Sequence, residues 1–162
     1  MEGWHQTLQP KLGKLKPGQS RATKLQILRI LDQGNRFSQR LAAHIRQGHV
    51  RLHFRRLAFG YEALYNPRNK IIYVNSRMTF QRSKGLYRAA VSVIHEGQHY
   101  FDEIAGAIRW SNDPLLEARA FLREAQFARD IGRPGYSVFG RIRARSGSTV
   151  AWNWVRRLYG FP

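Results

Sequence analysis

His95 and His99 are the residues of this chain whose types and spacing point most directly to chemistry. They lie four positions apart in the segment HEGQH, and Glu96 follows the first of them. On a helix this spacing places both imidazoles on one face, one turn apart, where they can share a metal ion. Glu96 is displaced to the side of the pair, from where it can reach a water beside the metal without binding the metal. The pattern H-E-x-x-H therefore predicts a zinc site with Glu96 as its general base.

Composition and neighbouring sequence favour a functional site over a chance match on a solvated helix. The chain has no cysteine, so a transition-metal site must be built from His, Asp and Glu, which suits a catalytic zinc better than a structural one. The run Ala89–Ile94 that precedes the motif is mostly apolar, which indicates a buried helix. Burying two imidazoles and a carboxylate without a partner would cost several kcal/mol. A bound metal ion removes that cost.

The third ligand has several candidates in the sequence. Glu117 lies in the first turn of the next predicted helix, and the small residues around it suggest close packing. Glu124 is seven positions further on and shares a helical face with Glu117, so it is the rival. Asp102 lies on the same stripe as His99 and could be a ligand, but its side chain is short. Asp102 is a better candidate for a hydrogen-bond partner of one of the imidazoles.

Helical periodicity and end signals place the elements that must position these residues. Apolar residues from Ser20 to about Gln47 predict two helices with a break near Gly34. The motif lies within a predicted helix from about Lys84 to Gly106. Two further helices are predicted. One is capped by Asp113, with Pro114 at its first position and its end at Gly132, and the other is a short terminal helix over Trp152–Tyr159.

The part between the first helices and the motif helix has the periodicity of strands. Val50–Phe54 alternates apolar and polar residues, and Ala63–Tyr65 and Ile71–Val74 flank the turn Asn66–Asn69. We therefore expect an α+β fold in which the motif helix packs against a small antiparallel sheet. Residues 1–20 are predicted to be a flexible leader or linker end, and residues 21–162 a single domain.

The charge of the chain is its most unusual bulk property. Lys and Arg number 28 against 10 Asp and Glu, giving a formal net charge of +18. Such an excess predicts an acidic partner, and nucleic acid is one possibility. The sequence shows no run of about 20 apolar residues that could span a membrane, and its N-terminus lacks the apolar core of a signal peptide. An exported form would therefore need another carrier.

The stretch VIHEGQHYFD from Val93 to Asp102, with the later EARAF from Glu117 to Phe121, resembles a known group of metallopeptidases. These are the zincin-type domains at the C-termini of bacterial polymorphic toxins, which are delivered as tips of Rhs- or VgrG-type proteins. Their motif is often written HEGxHxxD, with a later E-x-x-A-[YF] segment. The resemblance implies a zincin-like fold, His95, His99 and Glu117 as zinc ligands, and Glu96 as the base. Because zincins commonly bind a peptide as an added strand along a sheet edge, the resemblance also implies that Ile71–Asn75 is an edge strand that binds substrate. It also implies secretion as part of a larger protein, action in a target cell, and a cognate immunity protein, which would be acidic.

The sequence thus predicts a zinc-dependent endopeptidase that acts on a protein or peptide substrate, and the resemblance makes it an antibacterial toxin domain. The alternative is a basic nucleic-acid-associated protein, either a DNA-linked protease or a binding module. A peptidase also needs a group that stabilises the oxyanion, and the sequence does not rank the candidates. They are Tyr73, Tyr100, His44, His49 and His53.

Overall fold

The structure, a computed structural model, describes residues 17–58, 60–79, 82–107 and 114–138, together with Asn153. It contains helices and a small sheet, which confirms the predicted α+β class. The elements in chain order are α1 (Pro17–Asp32), α2 (Arg36–Arg46), β1 (Arg51–Arg55), β2 (Ala63–Asn66), β3 (Ile71–Asn75), α3 (Ser76–Thr79), α4 (Arg82–Ile104), α5 (Pro114–Asp130) and a 3-10 turn (Pro134–Tyr136).

Both ends of the chain lie mostly outside the residues that the structure describes. Helix α1 begins at Pro17, so the last residues of the predicted leader are helical, and residues 1–16 are outside the described part. Apart from Asn153, the predicted terminal helix over Trp152–Tyr159 is also outside it, as is the proposed cap Asp113. Helix α5 begins at Pro114, as the sequence predicts.

The break between α1 and α2 lies at Gly34, as its residue type suggested. Asn35 caps α2, because its side chain accepts hydrogen bonds from the backbone N–H groups of Phe37 and Ser38. A Cβ atom at Gly34 would lie 2.6 Å from the ring of Phe127 on α5. The turn therefore needs glycine because it passes directly over a buried phenylalanine.

The sheet differs from the predicted antiparallel one. Its order is β1-β3-β2, and although β2 pairs antiparallel with β3, β1 pairs parallel with β3. Residues 56–62 carry the chain from β1 past the end of β3 to the far edge, a distance of about 10 Å that seven residues span easily. As a result Ile71–Asn75 is the central strand and cannot take an added strand, whereas β2 is an edge strand. The prediction of an edge role for Ile71–Asn75 was wrong.

Helix α4 lies at the centre of the fold. It contacts α1, α2, α5 and the inner face of the sheet, where Leu52, Ile72 and Val74 are buried. Its own residues Ala89, Ala90, Val93 and Ile94 are fully buried. Among the described helices, none is long and apolar enough to cross a membrane. The part of α4 that carries His95 and His99 is thus fixed by packing on several sides.

We expect Gly97→Ala to destabilise the protein, although alanine favours helices. A Cβ atom at Gly97 would lie 2.2 Å from Cδ2 of Leu41, a fully buried residue of α2. Overpacking of this kind costs about 1–3 kcal/mol, which exceeds the gain of up to about 1 kcal/mol in helix propensity. Urea unfolding measures the difference, and Gly135→Ala, where the added Cβ meets nothing within 4 Å, is the control. An unchanged or raised stability for Gly97→Ala would contradict this packing.

Candidate metal centre

Three side chains from two helices converge at one point. Helix α4 presents His95 and His99 on the same face, and their ring centroids lie 5.1 Å apart. Helix α5 places Glu117 opposite them, with Oε2 3.3 Å from His95 Nε2 and Oε1 3.1 Å from His99 Nε2. One ligand atom from each residue lies within 4.8 Å of the others, so the group could hold a metal ion.

The contacts of Glu117 are close to the length expected between two ligands of a tetrahedral metal. Bonds of about 2.0–2.1 Å to nitrogen and oxygen imply ligand–ligand separations of about 3.3–3.4 Å, and the two Glu117 oxygens lie 3.3 Å and 3.1 Å from Nε2 of His95 and of His99, respectively. Glu117 lies in the first turn of α5, where the helix dipole favours a negative charge. Burial of Glu117 opposes ionisation, but hydrogen bonds and charge from His95 and His99 lower its pKa to about 2. Glu117 is therefore an anionic donor at neutral pH.

Glu124 contacts the other side of the His95 ring and is not part of the converging group. Its Oε2 lies 3.2 Å from His95 Nδ1, and its Oε1 accepts a short hydrogen bond from the backbone N–H of Val138. Burial opposes the charged form of His95, but hydrogen bonds to Glu117 and Glu124 and the charge of Glu96 raise its pKa to about 10. The contact of Glu124 with Nδ1 orients the His95 ring so that Nε2 faces Glu117 and His99, as carboxylates commonly do at metal-bound histidines.

Glu96 lies beside the ligand group and contacts the sheet. Its Oε2 accepts a hydrogen bond of 2.8 Å from the backbone N–H of Tyr65 on β2. Asn75 donates its N–H to the carbonyl of Glu62, so the backbone groups of Glu62 point toward β3. Because successive residues of an antiparallel strand alternate in direction, the backbone groups of Ala63 and Tyr65 point the other way, toward the open edge of β2. Glu96 is thus held between the ligand group and an edge strand, with one carboxylate oxygen in use.

A cavity of about 410 Å³ opens onto this group. Its wall includes His95, His99, Glu96 and Glu117, and it includes the apolar side chains of Leu64, Leu116, Phe121 and Val138. Tyr61 also lines the cavity and is 56% exposed. None of the five oxyanion candidates named from the sequence is among the described lining residues. Tyr61, which the sequence did not single out, lies in the described loop before β2 and lines the cavity instead.

Asp102 does not contact an imidazole among the described residues, contrary to the expectation. It is buried, and its carboxylate accepts a hydrogen bond from Gln98 and forms an ion pair with Arg119. Gln98 in turn accepts a hydrogen bond of 3.2 Å from Arg123 on α5. This polar chain joins α4 to α5, so Asp102 and Gln98 help to fix the two helices that carry the three ligand candidates.

Glu117 and Glu124 are expected to respond differently to substitution. Glu117→Ala removes a donor atom, so we expect it to abolish stoichiometric metal binding. Glu124→Ala leaves the donors in place but frees the His95 ring, which lowers metal affinity by about 10- to 100-fold. Competition with a chelator measures both affinities, and Gln126→Ala on the same helix is the control. A larger loss for Glu124→Ala than for Glu117→Ala would make Glu124 the ligand.

A scan against protein-family models, a search of the curated proteins and a search of the solved structures found no significant match to this chain.

Proposed function

We propose that this protein is a zinc-dependent peptidase. The observation that carries the proposal is the convergence of His95, His99 and Glu117 beside Glu96 in one cavity. Two imidazoles and one carboxylate form a donor set typical of catalytic zinc, and three protein ligands leave a position open for reaction. The absence of cysteine agrees with this assignment. When bound, zinc supplies Lewis-acid polarisation of a carbonyl group and lowers the pKa of water.

Glu96 is the residue to which we assign proton transfer. Its carboxylate is adjacent to the ligand group and faces the cavity, so it can accept a proton from an attacking water and pass it to the leaving amine. The hydrogen bond from the Tyr65 N–H holds one of its oxygens and leaves the other available. Glu96 is therefore held in position before substrate binds.

The open edge of β2 indicates which conformation the proposed substrate has when it binds. The outward backbone groups of Ala63 and the outward carbonyl of Tyr65 can pair with an extended peptide, as an added strand does, while the Tyr65 N–H is engaged by Glu96. The neighbouring side chains of Leu64, Leu116 and Phe121 are apolar and would accept apolar side chains of that peptide. We therefore propose unfolded or extended protein segments as substrates, bound mainly through their backbone. Tyr61 is the side chain from which we expect oxyanion stabilisation.

The toxin role and its delivery within a larger secreted protein stay predictions from the family resemblance. A peptidase that binds extended segments with little side-chain selectivity would damage many proteins of a cell, which suits such a role. Induced expression in bacteria tests it, since growth arrest should depend on Glu96.

Glu96→Gln is expected to lower the rate of peptide hydrolysis by about 100-fold or more, because an amide cannot accept the proton. Zinc content should stay at one ion per chain, because Glu96 is not in the ligand group. Cleavage of an unfolded protein such as casein, followed by mass spectrometry, measures the activity. Asp32→Asn, which removes an exposed carboxylate paired with Arg46, is the control.

Hydrolysis by Glu96→Gln at the wild-type rate would contradict the assigned role. Loss of zinc from Glu96→Gln would instead move Glu96 into the ligand group.

A further inference from the structure

The outer face of the sheet is turned away from α4 and carries a second distinctive set of residues. We define the outer sheet face by Arg51, His53 and Arg55 of β1, Tyr73 of β3 and Leu64 of β2. Along β1 the exposed residues alternate with Leu52 and Phe54, which pack on the core. In the register of the sheet, His53 pairs with Tyr73, and Tyr73 pairs with Leu64. These residues therefore form a continuous row across all three strands.

The guanidinium groups of this face have no carboxylate partner among the described residues. Arg51 and Arg55 are exposed and form no ion pair there. Each described carboxylate is engaged by other groups, on the helices or at the metal cavity. These carboxylates belong to Asp32, Glu62, Glu96, Asp102, Glu103, Glu117, Glu124 and Asp130. Within the part of the chain that the structure describes, the outer sheet face is therefore a surface of uncompensated positive charge.

The same face offers flat π surfaces that are held in place. The guanidinium carbon of Arg55 lies 3.8 Å from the ring centroid of Tyr73, and the His53 ring meets Tyr73 edge-on at 6.1 Å. Asn69 donates a hydrogen bond of 3.2 Å to the Tyr73 hydroxyl. A stacked guanidinium keeps its N–H edges free for phosphate oxygens, and its plane can stack on a base.

We propose that the outer sheet face binds single-stranded nucleic acid. Arg51 and Arg55 lie about 13 Å apart along β1 and would contact phosphates of an extended strand. His53 and the Arg55–Tyr73 stack would contact unstacked bases, which a duplex does not offer. An acidic protein would use the charge but would gain nothing from the stacked rings, so the nucleic acid is favoured. Arg51, His53, Arg55 and Tyr73 do not line the metal cavity, whereas Leu64, on the edge strand, borders both the cavity and the outer sheet face.

Fluorescence anisotropy with a labelled DNA strand tests the proposal. A mixed-sequence strand of about 20 nucleotides exceeds the roughly 4–16 nucleotides that a small binding domain covers. We expect Arg51→Glu/Arg55→Glu to weaken binding at least about tenfold and to reduce the slope of log K against log salt by about 1.4, since each phosphate contact contributes about 0.7. Arg21→Glu/Arg29→Glu changes the net charge equally on exposed positions of α1, and should weaken binding less than about threefold.

The variant Tyr73→Leu tests the contribution of stacking to the affinity for DNA without changing the charge. It should weaken binding about fivefold or more while leaving the salt slope unchanged. Zinc content and circular dichroism verify folding of each variant, and Arg51→Gln/Arg55→Gln replaces the charge reversal if that variant does not fold. Equal losses for the β1 and α1 double variants would overturn the proposal, because only net charge would then matter. Equal affinity for duplex DNA, or full competition by polyglutamate, would also overturn it.

Discussion

The contact of Glu117 with both His95 and His99 is the interaction on which the rest of the site depends. It requires that the first turn of α5 face the second half of α4 at a fixed distance, and several features enforce that distance. Gly97 lets α2 approach α4 closely, and the Arg123–Gln98–Asp102 chain joins α4 to α5. Gly97 and Gln98, the two residues between Glu96 and His99, thus help to hold the neighbouring helices in place.

The distribution of charge follows from the same constraint. Carboxylates cluster at the candidate metal centre and at helix contacts, where buried imidazoles and guanidinium groups need partners. Glu124 holds His95, and Glu62 accepts hydrogen bonds from Arg88 and Ser92 at the wall of the cavity. The surface is consequently left with an excess of arginine, most clearly on the outer sheet face. A chain of net charge +18 can in this way keep an acidic cleft.

Local sequence patterns predicted helices α1, α2, α4 and α5 and the converging group, because the residues that determine them lie within a few helical turns of one another. The spacing of His95 and His99 fixes one face of α4, and Pro114 fixes the start of α5 and so the place of Glu117. The sheet order was not predictable in this way, because the alternation in β1 fixes its faces but not its neighbour. Asp102 was expected beside an imidazole, but Arg119 and Gln98 compete for it from tertiary positions. The N–H of Tyr65 escaped prediction because no side-chain pattern encodes a backbone donor.

X-ray absorption at the zinc edge, on purified protein, tests the central claim most directly because it reports the atoms around the metal. We predict a tetrahedral zinc ion with two imidazole nitrogens at about 2.0–2.1 Å and with oxygen ligands at about 2.0–2.2 Å. In His99→Ala the signal of one imidazole should disappear. Protein that takes up no zinc, or zinc with the same environment in wild type and His99→Ala, would contradict the assignment of His95, His99 and Glu117 as its ligands.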